Sequence, residues 1–139
     1  KRIQLDLTIT LPGLFDLENM VHLSNELNVE LLTKQVFNFS NDIAMAPLFM
    51  PYDLMNEIID EVKEKTIQYK NKNTEKFFRQ LEEMQKQKRN NELVYSEKEY
   101  VEGQKKGKEQ IEYLDKIRGT DIKKILNKNK KVLEWWNDI

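Results

Sequence analysis

The chain has 139 residues, with 23 basic and 24 acidic side chains, a formal net charge of −1 and no cysteine. That length suits one domain or part of a larger one, and the missing thiols exclude disulfides, thiolate zinc sites and iron–sulfur ligation within it. No stretch approaches the ~20 apolar residues of a membrane span and none has a signal-peptide pattern, so the chain reads as a soluble, cytoplasmic protein.

Residues 1–51 carry 3 basic and 6 acidic side chains, residues 52–110 carry 13 of each, and residues 111–139 carry 7 and 5. Pro12, Pro47 and Pro51 all fall in the first segment. The character therefore changes near Pro51, from an apolar α/β segment (1–51) to a charged helical extension (52–139). Balanced charge argues against a broad nucleic-acid footprint. Lysine outnumbers arginine 19 to 4, which leaves few forks for bidentate phosphate or guanine contacts.

Strict alternation opens the chain: Ile3, Leu5, Leu7 and Ile9 on one face, Gln4, Asp6, Thr8 and Thr10 on the other, a strand signal. Pro12-Gly13 breaks it. Asp16 then stands where an N-cap belongs, ahead of Leu17, Met20, Val21, Leu23 and Leu27 at helical spacing. His22, the lone histidine, reads as a solvated or packing side chain on that helix. Asn28-Val29 is the stop, and Leu31–Phe39, rich in β-branched and aromatic residues, reads as a second strand. Strand, helix and strand make a parallel βαβ unit.

Ser40–Pro51 is long for a βα connection, and in parallel α/β folds ligands gather at the carboxyl ends of strands. The Thr10–Leu14 turn and this loop are expected to face one mouth. Ser40, Asn41 and Asp42 offer polar contacts there; Ala44, Met45, Leu48, Phe49 and Met50 either form an apolar wall or pack under the next helix.

Pro51 suits the first turn of a helix over Tyr52–Tyr69, with Leu54, Ile58, Ile59 and Val62 as its apolar stripe. Thr74 is the next expected N-cap, before Phe77, Phe78, Leu81 and Met84. Gln85–Asn91 is wholly polar and reads as a solvated run. Ser96–Gln110, thin in apolar residues and holding Gly103 and Gly107, reads as a weak or bent helix. Ile111, Leu114 and Ile117 strengthen it. Gly119 fits a C′ position and Thr120 a new N-cap; Ile122, Ile125, Leu126, Val132, Leu133, Trp135 and Trp136 follow. The Trp pair is expected to dock on the body of the fold or on a partner. Asp115 and Arg118, three apart, are expected to pair with each other or to dock their helix on a neighbour, with catalysis a third reading.

No catalytic constellation is visible: no glycine-rich phosphate loop, no His-Glu-x-x-His pattern and no cysteine nucleophile. Two separated stretches nevertheless resemble one family. Residues 3–59, with an alternating strand ending near a Thr, a helix, a second strand and an apolar loop closed by Pro, resemble the last strands of the partial barrel in radical S-adenosylmethionine proteins. "YLDKIRGTDIKKI" (Tyr113–Ile125), followed by "LEWW", resembles the terminal segment of the twitch-domain type. The resemblance implies the C-terminal portion of a longer enzyme, completing its barrel wall and covering its substrate. Thr10, Ala46, Pro47, Leu48 and Phe49 would approach S-adenosylmethionine.

The family's Cys-x3-Cys-x2-Cys motif is absent, so a [4Fe–4S] cluster and catalysis are expected of the parent enzyme only, with no cofactor on this chain alone. The implied partner is the upstream barrel half, on the same or another chain. The competing reading is a self-contained protein-interaction module, a small α/β core with a charged helical arm. A third is RNA binding through Lys123–Lys131, for which a solvated helix face is the plainer account.

Overall fold

The computed structural model describes residues 3–35, 46–89 and 96–139. Strand β1 (Gln4–Ile9), helix α1 (Leu17–Leu27) and strand β2 (Glu30–Gln35) form the expected βαβ unit. The strands run parallel, in register from Gln4 beside Glu30 to Ile9 beside Gln35. Period-two alternation puts Leu5, Leu7, Ile9 and Leu31 on one face. Ile9 and Leu31 are wholly buried and Leu5 and Leu7 pack against them, whereas Ile3, ahead of the first paired residue, is 74% exposed. The part of the expected second strand beyond Gln35, and the Ser40–Met45 part of the loop, lie outside the described residues.

A 3-10 turn (Pro12–Phe15) follows β1, and Asp16 occupies the N-cap position of α1. Its carboxylate accepts from the Asn19 side chain at 2.8 Å instead of from the helix backbone. Leu17, Val21 and Ser24 form the buried stripe of α1; Leu23 and Leu27, expected in that stripe, are 37% and 53% exposed. The reason is angular: at 100° per residue those leucines fall well off the line through Leu17, Val21 and Ser24. The Ser24 hydroxyl donates to the Val29 carbonyl at 2.6 Å, and Asn28, at φ 51°, turns the chain into β2.

Helix α2 (Tyr52–Thr66) follows Pro51 and buries Leu54, Ile58, Ile59 and Val62 as expected; a 3-10 turn completes it at Ile67–Tyr69. Thr74 directly precedes α3 (Glu75–Arg89), but its hydroxyl donates back to the Tyr69 carbonyl at 2.7 Å, fastening the turn. Helix α3 runs along β2. The Leu31 N–H donates to the Asn73 carbonyl at 2.8 Å, Lys76 pairs with buried Glu30 at 2.8 Å, and the Gln35 side chain donates to Gln87 at 2.7 Å.

The polar run from Gln85 is not simply solvated. Gln85 is buried, its amide donating to Asn56 and Asp60 at 2.7 Å each and its carbonyl accepting from Lys63 at 3.2 Å. A glutamine can be buried between helices when both ends of its amide are matched in this way.

The weak helix expected around Gly103 and Gly107 is one continuous element, α4 (Glu97–Arg118), opened by a reciprocal capping box between Ser96 and Glu99. That box offsets the poor propensity of the glycines. Short α5 (Lys123–Leu126) and terminal α6 (Lys130–Asp138) bring the chain back onto its start. Ile122, Leu126, Val132 and Trp136 join Ile9, Leu11, Leu14 and the α2–α3 residues in one apolar core, which therefore draws on both sides of Pro51. Trp136 is wholly buried and Trp135 packs beside it. Among the described residues no helix is long and apolar enough to cross a membrane.

Removing the Trp136 ring should cost about 3–5 kcal/mol. Trp136→Ala is expected to lower the urea midpoint far more than Trp135→Ala; equal effects would place both rings alike in the core.

Candidate functional site

A groove of about 360 Å³ opens between the turn after β1, the last turns of α4 and the start of α5. Pro12, Ile111, Leu114, Ile122 and Ile125 form its apolar walls, and Gln110, Asp115, Arg118, Thr120 and Asp121 supply its polar rim. Half-open apolar concavities with a few polar groups are where ligands and partner side chains bind.

Asp115 builds this groove. Gly119, at φ 67°, ends α4 with its N–H on the Asp115 carbonyl, and the Thr120 N–H donates to the same carbonyl at 3.0 Å. The Asp115 carboxylate then receives the Thr120 hydroxyl at 2.6 Å and the Ile122 N–H at 2.8 Å. One side chain thus reverses the chain and orders the approach to α5. Thr120, expected as an N-cap, serves Asp115 instead, and Ile122 holds the cap position of α5. Beside the roles expected for the Asp115 and Arg118 pair, the aspartate is the hinge of the turn. Arg118 lines the groove.

The residues that the resemblance would bring to a cofactor are engaged inside the chain. The Thr10 hydroxyl accepts from the Gly13 N–H at 3.0 Å. A Cβ at Gly13 would stand 2.8 Å from that same oxygen, so a larger residue there would push the Thr10 hydroxyl aside. Ala46, Pro47, Leu48 and Phe49 are buried, which is the packing alternative for this loop. Pro12 reaches the groove, but Thr10 and residues 46–49 do not line it. Sulfur is also missing from the donor set: without a cysteine the chain does not fit a [4Fe–4S] cluster. No chemical step is therefore routed through either group at these residues.

A cluster that sequence reasoning missed surrounds Phe49. The Tyr100 hydroxyl and the Gln104 amide (2.8 Å) both donate to the Phe49 carbonyl, and the Phe49 and Tyr100 rings stack at 5.1 Å. Burial pushes the Tyr100 phenol up to about 12, against a smaller lowering by the hydrogen bond with Gln104. The Lys88 ammonium lies 5.1 Å over that ring, and burial pulls its pKa down. Ser96-x-x-Glu99 was the available sequence signal, since it fixes the start of α4 and hence the phase of Tyr100. His22 is half-exposed and leans on Tyr69, with ring centroids 4.9 Å apart.

No family model matches this chain, and neither a curated protein nor a solved structure matches it.

Asp115→Ala should cost about 1–3 kcal/mol, because it leaves the Ile122 N–H and the Thr120 hydroxyl without their acceptor. Asp115→Asn, which keeps an acceptor, should recover part of that loss in a thermal melt. Tyr100 predicts a pH dependence. Its folded pKa lies above the unfolded value of 10.0, so the folded state holds the extra proton and stability falls as pH rises from about 10 to 12. Tyr100→Phe should flatten that slope in denaturant titrations; an unchanged slope would show the phenol to be freely ionising.

Proposed function

We propose that this chain is the closing, non-catalytic part of a radical S-adenosylmethionine enzyme. In this reading β1, α1 and β2 complete the wall of a partial barrel begun by upstream strands, and the helices beyond Pro51 cover the substrate. The cluster and the cofactor chemistry belong to the upstream half.

The observation that carries the reading is the outer edge of β1, which is bare among the described residues. There β1 pairs with β2 alone, whereas on the far edge of β2 the Leu31 N–H donates to the Asn73 carbonyl. Parallel strands otherwise occur in larger sheets covered on both faces. Here Gln4, Asp6, Thr8 and Lys34 are exposed on the face opposite the core, beside half-buried Leu32 and buried Glu30, a mostly polar face that suits the inside of a barrel holding a polar substrate. The resemblance of residues 3–59 and of Tyr113–Ile125 supports the same assignment.

The coding sequence upstream of Lys1 tests it. A Cys-x3-Cys-x2-Cys motif in the same frame is expected, and the outward-pointing amides of β1 should gain hydrogen-exchange protection when the upstream half is present. A start codon immediately before Lys1 would sink the reading.

A second reading, the interaction module, is favoured by one observation: the apolar surface at the end of α4, where Tyr113 and Ile117 are each 64% exposed. Its Trp pair is not a free handle, because Trp136 belongs to the core.

A further inference from the structure

We propose that the groove between the turn after β1, the end of α4 and α5 docks an acidic amphipathic helix of a partner protein. This rests on the interaction-module reading and names the partner's chemistry.

The apolar part of the argument begins on α4. Ile111, Leu114 and Arg118 face the groove, Ile117 lies in the next helical row and Tyr113 further round, so exposed apolar side chains flank the cavity on α4. Ile125 supplies the opposite rim and is itself 39% exposed. Exposed apolar side chains on both sides of an apolar groove mark a surface that a partner covers. A volume of about 360 Å³ admits a few side chains but not a whole helix. The matching occupant therefore lays one stripe of apolar residues across the groove, at i, i+3, i+4 and i+7 spacing.

Charge decides what surrounds that stripe. Residues 116–131 contain 7 basic side chains and 1 acidic one. Lys131 is already paired with Glu57 at 2.9 Å. Arg118 lines the groove, and Lys123 and Lys124 lie on α5 between Ile122 and Ile125 in sequence, outside the groove's lining; all three cations are exposed. The groove's own carboxylates are engaged within the chain: Asp115 holds Thr120 and Ile122, and Asp121, itself exposed, accepts from the Lys123 N–H at 3.0 Å. Among the described residues the Arg118 guanidinium has no acceptor. Arg118 and the exposed lysines of this stretch outnumber its carboxylates, so the partner carries Asp or Glu beside its apolar residues. An RNA would satisfy the cations and leave Tyr113, Ile117 and Ile125 uncovered.

The test uses the 139-residue chain and a designed peptide with Leu at helical spacing and Glu elsewhere, titrated calorimetrically at about 0.1 M salt. The control peptide replaces every Glu by Lys. The acidic peptide is expected to bind saturably, and the basic one at least about tenfold more weakly. Arg118→Glu combined with Lys124→Glu should weaken the acidic peptide by at least about tenfold, and Ile117→Asp should weaken both peptides. Arg79→Glu, on α3, should change neither.

Arg118 and Lys124 are exposed, so the charge-reversed chain keeps its fold, which a thermal melt checks. Equal or tighter binding of the basic peptide would overturn the proposed chemistry while keeping the groove as a docking surface. Binding of neither peptide would overturn the proposal and the interaction-module reading together. Binding of phosphatidylserine vesicles or an oligouridine in place of the acidic peptide, lost on charge reversal, would overturn it in favour of a lipid surface or RNA.

Discussion

Two parallel strands cannot enclose a core, and this chain is built around that shortage. A βαβ unit buries one face of its sheet under its own helix but leaves its ends and flanks uncovered. The cover comes from the far end of the sequence. Ile122, Leu126, Val132 and Trp136 close over Ile9, Leu11 and Leu14, so the first and last segments share one apolar cluster. Trp136 is its largest member, and among the described residues its buried indole N–H has no acceptor. An orphaned donor costs about 1–3 kcal/mol. Burial of the ring outweighs that. Lys108 holds the element in place, donating to the Trp136 carbonyl at 2.7 Å and so binding the end of α6 to α4.

With the core closed by distant segments, orientation between helices falls to a few buried or half-buried polar devices. Gln85 ties α3 to α2 through Asn56, Asp60 and Lys63. Tyr100 and Gln104 tie α4 to the segment before α2 through one carbonyl. Asp115 ties the end of α4 to the start of α5. Each such device is costly if half-made and directional if complete, so it selects one arrangement among several that apolar packing alone would tolerate.

These devices also mark where the sequence stops being readable. Alternation in β1, the stripe of α2 and the aromatic pair of α3 follow from periodicity, which is local. The stops at Asn28 and Gly119 were equally visible, because a left-handed residue has a small menu of side chains. Nothing near Gln85 in sequence reveals Asn56 and Asp60, so its polar run carries no sign of burial. Apolar type alone marks Leu23 and Leu27 as core, and only the helical angle separates them from Leu17 and Val21. The partners of Asp115 lie just past the helix end and not at helical spacing. The groove's residues were thus legible one by one, while their convergence with Pro12 depended on the return of the tail.

The two surfaces this fold leaves open ask for different things. The edge of β1 offers a row of backbone donors and acceptors, which only another extended strand can satisfy over its length. The groove offers apolar walls and unpaired cations, which a strand's backbone would leave unmet. The turn after β1 stands between them: its Thr10–Gly13 bond ends the strand, and its Pro12 forms one wall of the groove. The two surfaces thus adjoin through one short turn, whose hydrogen bond faces the strand and whose proline faces the groove.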